Sequence, residues 1–242
     1  MTAHLGTSDE VQRREFPNRE PEDRLRAEGH RIVVGVDEVG KGAWAGPLCV
    51  GIAVIPDSGD MPGIRDSKSI SEKKREAMFD GVVAWCTASS VGFASHVECD
   101  ELGMAEAQRL ATRRALSEIC RTLGATPDAA VVDGKWDFVS PNIDRVEMIV
   151  KGDTTCLSIA AASIIAKVTR DRVMRELASD YPAWSFDTNK GYPCHWHRTA
   201  LQGYGLSAIH RSSWAFVDNF VPWIGLERRT RKTMQVEPER LF

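Results

Sequence analysis

Ile32-Val33-Val34-Gly35-Val36-Asp37-Glu38 is a β-branched run that ends on two adjacent carboxylates. Short apolar runs of this kind read as buried strands. Two more follow the same plan. Ala129-Ala130-Val131-Val132 runs into Asp133, and Val146-Glu147-Met148-Ile149-Val150 passes through Lys151-Gly152 into Asp153. A carboxylate at a buried strand end loses hydration unless something positive sits beside it. Four acids delivered by three core elements point to a divalent metal, and so to a metal-dependent enzyme.

Around these runs, Leu48–Ile55 and Thr87–Val97 read as further strands. Helices are expected over 21–29, from Ser69-Ile70-Ser71-Glu72 through Phe79 to Ala84, over 101–123, over 156–179 and near 197–202. Strands and helices in this order give a mixed α/β domain with one core sheet. Residues 1–20 are polar without period and are expected to be disordered. The folded domain is expected over 21–224, and 225–242 reads as a charged tail.

The chain has 242 residues, of which 43% are hydrophobic and 27% charged, enough for one sizeable core. The formal net charge of -3 gives no overall basic character, although a local basic groove is compatible with it. No apolar run reaches the roughly 18 residues of a membrane span, and the first thirty residues carry acids and no apolar signal core. A cytoplasmic monomer is expected. The six cysteines are scattered with no C-x-x-C pair, as expected of buried thiols in a reducing compartment. No phosphate-binding G-x-x-x-x-G-K-S/T pattern is present.

Within Asp37-Glu38-Val39-Gly40-Lys41-Gly42, strand alternation sends the two acids to opposite faces. They reach a common site only at a strand end, or with metals placed between them. The glycines allow backbone to approach a ligand, and Lys41 offers a cation for phosphate. A polar turn is the plain alternative. Asp133-Gly134 is equally a common turn signal. Asp153 could cap the Ala-rich helix that follows. Eighteen residues separate it from Asp171, about 27 Å along a helix, so the two cannot share a metal. Asp171, among Lys167, Arg170 and Arg172, reads as a solvated ion pair. The small side chains of 158–166 would let that helix lie close on the sheet and fix Asp153. Asp66-Ser67-Lys68, Asn189-Lys190-Gly191-Tyr192 and His210-Arg211-Ser212-Ser213 could each face nucleic acid, with cations on phosphate and aromatics stacking. Each could also be a plain surface loop. His195 and His197 have no partners at zinc-finger spacing.

Together these motifs closely resemble ribonuclease HII, the type 2 ribonuclease H family. The resemblance runs from about Pro21 to Phe220. Its markers are Gly-Val-Asp-Glu-Val-Gly-Lys-Gly-Ala-Trp-Ala-Gly-Pro-Leu at 35–48, Asp-Ser-Lys at 66–68, Val-Asp-Gly at 132–134, Lys-Gly-Asp at 151–153, the helix at 158–168 and Lys-Gly-Tyr at 190–192. It implies a ribonuclease H-like fold, a central mixed sheet flanked by helices with a C-terminal helical extension. It implies cleavage of the RNA strand of RNA–DNA hybrids and incision 5′ of single ribonucleotides in duplex DNA. Asp37, Glu38, Asp133 and Asp153 match the family's metal-binding acids, implying Mg2+ or Mn2+ as cofactor in two-metal hydrolysis that leaves 5′-phosphate and 3′-hydroxyl ends. Gly40, Lys41 and Gly42 match the segment that reads the ribose 2′-hydroxyl, and Tyr192 the tyrosine that stacks on the junction sugar. Lys68 is a candidate phosphate contact.

One residue departs from the pattern: Lys41 stands where the family usually has Arg, exchanging a bidentate fork for a point charge. No N-terminal platform domain of the type 3 enzymes is recognised. An aspartate-based phosphatase would need a second acid at position 39, which is Val39. The remaining rival is a catalytically impaired hybrid-binding protein of the same fold.

Overall fold

The computed structural model describes residues 17–59, 63–64 and 70–221. Lys68, with Asp66 and Ser67, lies outside the described residues, as does the tail at 225–242. Of the segment 1–20, residues 17–20 are described. Asn18 bridges to Cys156, and the Leu157 N–H donates to the Asn18 carbonyl.

Five strands form one mixed sheet in the order β3-β2-β1-β4-β5. They are β1 (Val33–Val39), β2 (Leu48–Val54), β3 (Ala88–Ala94), β4 (Ala129–Asp133) and β5 (Arg145–Ile149). β1, β2 and β3 pair antiparallel, while β4 and β5 run parallel to β1. Helix α1 (Glu20–Ala27) precedes the sheet, and α2 (Glu72–Trp85) follows β2. Next come α3 (His96–Leu102), α4 (Met104–Leu123), α5 (Gly152–Thr155) and α6 (Leu157–Asp180). The C-terminal part adds a 3-10 turn (Pro182–Trp184), α7 (Phe186–Asn189), α8 (His195–Tyr204) and α9 (Phe216–Phe220).

Strand alternation splits the core in two. Val34, Val36, Leu48, Val50 and Ile52 pack against α4 through Ala107, Ala111, Ala115 and Ile119. The opposite face receives α6, whose Ala160, Ala161, Ala162 and Ile164 pack with Ala53 and Val82. The expectation that small residues bring this helix close is met from both sides. A Cβ on Gly35 would stand 2.2 Å from the Ser158 carbonyl carbon, and one on Gly51 would stand 2.5 Å from the Ala162 oxygen.

Two expectations need correction. The helix expected over 101–123 is two helices. Ser95 and Glu98 form a reciprocal capping box that starts α3 early, and Gly103, at φ +76°, breaks the chain before α4. The cap of α6 is also not Asp153. The Glu22 carboxylate, reaching over from α1, accepts the Ser158 N–H at 2.7 Å and meets the Cys156 thiol at 3.2 Å. All six cysteines are free; four are buried, with Cys120 and Cys194 partly exposed.

Candidate active site

Alternation along β1 puts Asp37 on the face shared with Gly35, toward α6, and Glu38 on the other. β4 lies parallel to β1 with Val36 beside Val132, so the next residues, Asp37 and Asp133, leave the sheet together at its carboxyl end. Asp133 accepts the Gly152 N–H at 2.8 Å, and the Gly134 N–H donates to the Ile149 carbonyl. These bonds lace β4 to the turn after β5. Lys151, at φ +59°, makes that turn and delivers Asp153, which is buried in α5.

Three of the four acids act directly on the fourth. The Asp37 carboxyl is pushed from an ordinary 3.8 to about 8. Burial is the main cause, a hydrogen bond from Ser163 on α6 opposes it, and repulsion from Asp133, Glu38 and Asp153 adds to it. Glu38 is also raised, by burial first; Lys41 opposes and Asp133 adds to the rise. The Lys41 ammonium stands 3.7 Å from the Glu38 carboxylate. Among the described residues, no three His, Cys, Asp or Glu side chains form a ready-made metal cage. The acids line the end of the sheet in mutual repulsion, and Glu38 leaves by the other face. A donor set made only of carboxylate oxygens, with one member held protonated for want of positive charge, suits a hard divalent cation.

Beside Asp37 lies a cleft of about 400 Å³, lined by Asp37 through Gly42, Arg75, Ser163, Lys167 and Tyr192. Gly40 sits at φ +89°, and a Cβ there would meet the Arg170 Nε at 2.3 Å. Its N–H donates to the Tyr192 hydroxyl at 2.9 Å, which ties the loop to the aromatic ring. Lys41 and Gly42 are exposed. The Tyr192 ring has the Lys167 ammonium 5.7 Å and the Arg170 guanidinium 5.4 Å from its centroid. The structure thus gathers Asp37, Glu38, Gly40, Lys41, Gly42 and Tyr192 around one cleft. Asp133 and Asp153 are coupled to it through Asp37.

Sequence reading missed Ser163, Lys167 and Arg75. Ser163 and Lys167 lie four residues apart on α6, one turn of a helix whose small residues read in sequence as close packing that fixes Asp153. Asp171 does pair with Lys167, at 2.7 Å, but it is buried and not solvated. Lys190 is no surface cation either: it is buried, with its ammonium 3.2 Å from Glu72. His210 and Arg211 are likewise interior, while Ser212 and Ser213 beside them are half-buried.

A family model described as Ribonuclease HII matches residues 34–217, which takes in every site residue above. The chain belongs to the ribonuclease HII family. A Ribonuclease HII of Streptomyces coelicolor is 41% identical over 215 residues, covering 88% of this chain and 90% of that protein. One of Bacillus subtilis is 38% identical over 195 residues, covering 81% and 74%. Among solved structures, the ribonuclease H2 of Pyrococcus horikoshii aligns with a TM-score of 0.64 at 27% identity, over 79% of this chain and 97% of that one. The RNase HII of Archaeoglobus fulgidus, solved in complex with PCNA, aligns at 0.63 with 25% identity, over 76% and 95%. The ribonuclease H-like sheet and the helical C-terminal part are therefore those of ribonuclease HII, and the activity is that of a ribonuclease H endonuclease.

Proposed function

We propose that this ribonuclease HII cuts the RNA strand of RNA–DNA hybrids and incises duplex DNA on the 5′ side of a single embedded ribonucleotide. Mg2+ or Mn2+ serves as cofactor, and the products carry 5′-phosphate and 3′-hydroxyl ends. The observation that supports this best is the junction of two features in one cleft. Asp37, held near 8 by burial and three neighbouring carboxylates, adjoins a glycine loop fastened to Tyr192.

Asp37, Glu38, Asp133 and Asp153 would hold the metals. Two bound cations supply an activated water and charge stabilisation of the departing 3′-oxygen. The protein's own groups do the rest. Ser163 orients the Asp37 carboxylate. Lys41, Arg75 and Lys167 line the cleft as cations for the sugar-phosphate backbone. The exposed backbone of Lys41 and Gly42 meets the ribose, and the Tyr192 ring offers a face for the adjoining sugar. No described helix is long and apolar enough to cross a membrane.

Hybrid with a labelled RNA strand, incubated with Mg2+, Mn2+ or chelator, tests the reading. Cleavage with metal and none with chelator, together with loss of cleavage in Asp37→Asn, is expected. Cleavage in chelator would overturn the metal assignment, and hybrid binding without turnover in any metal would favour the impaired binding protein.

A further inference from the structure

His210-Arg211 is polar and interior, and cleavage as described above has no use for it. Burying a guanidinium is costly unless its donors are satisfied. Arg211 leaves its buried Nε without a hydrogen-bond partner among the described residues and directs its two terminal nitrogens to one loop. It donates to the Gly40 carbonyl at 2.7 Å, the Lys41 carbonyl at 3.1 Å and the Gly46 carbonyl at 3.2 Å. The backbone reinforces this. The Gly46 N–H donates to the Ile209 carbonyl and the Arg211 N–H to the Trp44 carbonyl, so His210 and Ala45 form an isolated antiparallel bridge. The segment is pinned from behind by Asp100 of α3, whose carboxylate accepts from the backbone and hydroxyls of Ser212 and Ser213.

His210 points the other way. Its Nδ1 accepts the Ser207 N–H at 2.8 Å, which leaves the proton on Nε2. That Nε2 stands 2.9 Å from the His197 Nε2, which must then accept. The His197 proton is accordingly on Nδ1 and is donated to the Tyr192 carbonyl at 2.9 Å. The Tyr192 hydroxyl accepts from the Gly40 N–H. The circuit closes: Gly40, Arg211, His210, His197, Tyr192 and back to Gly40. Both imidazoles sit in an apolar cage with Trp44, Phe186 and Phe216, where burial keeps them neutral.

We propose that His197, His210 and Arg211 are positioning residues for ribonucleotide recognition: a circuit of hydrogen bonds, joined through the His210–Arg211 peptide bond, fixes the spacing between the Tyr192 ring and the Gly40–Gly42 backbone. This rests on the proposed reading of those two features as the ribose-binding pair. A long hybrid offers 2′-hydroxyls at every position of the RNA strand, whereas a lone ribonucleotide offers one. The spacing therefore matters most for the second substrate.

The test measures kcat and KM on a duplex with one ribonucleotide and on a full hybrid, in wild type, His197→Asn, His197→Gln and Arg211→Lys. The Asn amide lies where Nδ1 was and keeps the donor to the Tyr192 carbonyl. The Gln amide lies where Nε2 was and loses it. An ammonium cannot span three carbonyls. Expected is a loss of kcat/KM of about tenfold on the single ribonucleotide for His197→Gln and Arg211→Lys, mainly through KM, the size of one well-placed hydrogen bond. Hybrid cleavage stays near wild type, and His197→Asn, which keeps the donor to the Tyr192 carbonyl but gives up the contact to His210, also falls on the single ribonucleotide. Equal losses on both substrates, or unchanged cleavage of the single ribonucleotide in the variants, would overturn the inference and leave these residues a packing role only. If the wild type cuts neither substrate, the proposed function fails first. If it cuts hybrids only, the ribose-binding reading fails and the inference falls with it. Should His197→Gln not fold, the same comparison is made with Arg211→Lys against wild type.

Discussion

Replacing Asp37 by Asn is expected to stabilise the metal-free protein at alkaline pH while abolishing cleavage. In the fold this carboxyl titrates at about 8 instead of 3.8, through burial and then through Asp133, Glu38 and Asp153, with Ser163 opposing. In the unfolded chain it titrates near its ordinary value. Between about pH 4 and pH 8 the fold therefore keeps a proton that the unfolded chain has released. The stability this group contributes is full below about pH 4, falls as pH rises, and levels off above about pH 8. About four tenfold steps in proton affinity, at about 1.4 kcal/mol each, set a ceiling of about 6 kcal/mol on the loss. Asn carries no such cost. Urea unfolding of both proteins in chelator should show the gap in favour of Asn widening by up to about 4 kcal/mol between about pH 5 and about pH 9. Mg2+ should then recover stability in the wild type at high pH and not in the variant. A gap that stays constant with pH would refute the reasoning, because Asp37 would then not be held protonated by its burial and its acidic neighbours.

Glycine substitutions separate fold from recognition. Gly42→Ala meets nothing within 4 Å, so thermal stability should hold while kcat/KM on a single ribonucleotide falls about tenfold or more; unchanged cleavage would remove Gly42 from the ribose contact. Gly40→Ala places a Cβ at φ +89°, 2.8 Å from the Pro47 carbonyl, and should lower stability as well as activity in the same melts and assays. Gly35→Ala drives a Cβ into the first turn of α6 and should cost about 1–3 kcal/mol in denaturant unfolding; wild-type stability would contradict the close contact of helix and sheet. Lys41→Arg restores a planar fork beside Glu38 and should tighten binding of the ribonucleotide duplex about threefold to tenfold in equilibrium titration, with weaker binding as the contrary result.

Much of this site was legible because buried strands announce themselves. Runs such as Val33–Val36 and Ala129–Val132 end on acids, and the parallel register of β1 and β4 then brings Asp37 and Asp133 together. The small residues of 158–166 announced a close helix just as directly. Side chains whose meaning depends on distant partners stayed hidden. Arg170, Arg211, Lys190 and Asp171 look like surface charges in sequence. They are interior because backbone carbonyls 20 to 171 residues away, or Lys167 and Glu72, satisfy them. Glu22 could not be read as the cap of a helix 136 residues later for the same reason. The break at Gly103 was hidden by the apolar face that continues across it.

The most direct measurement is end-mapping on a labelled DNA duplex carrying one ribonucleotide, beside an all-DNA duplex, with Mg2+, Mn2+ and chelator in parallel. A single metal-dependent cut on the 5′ side of the ribonucleotide, leaving a 3′-hydroxyl and a 5′-phosphate, with the all-DNA duplex intact, is the predicted result. An uncut ribonucleotide duplex under conditions that cleave a long hybrid would contradict the assignment of Gly40, Lys41, Gly42 and Tyr192 to reading a single ribose.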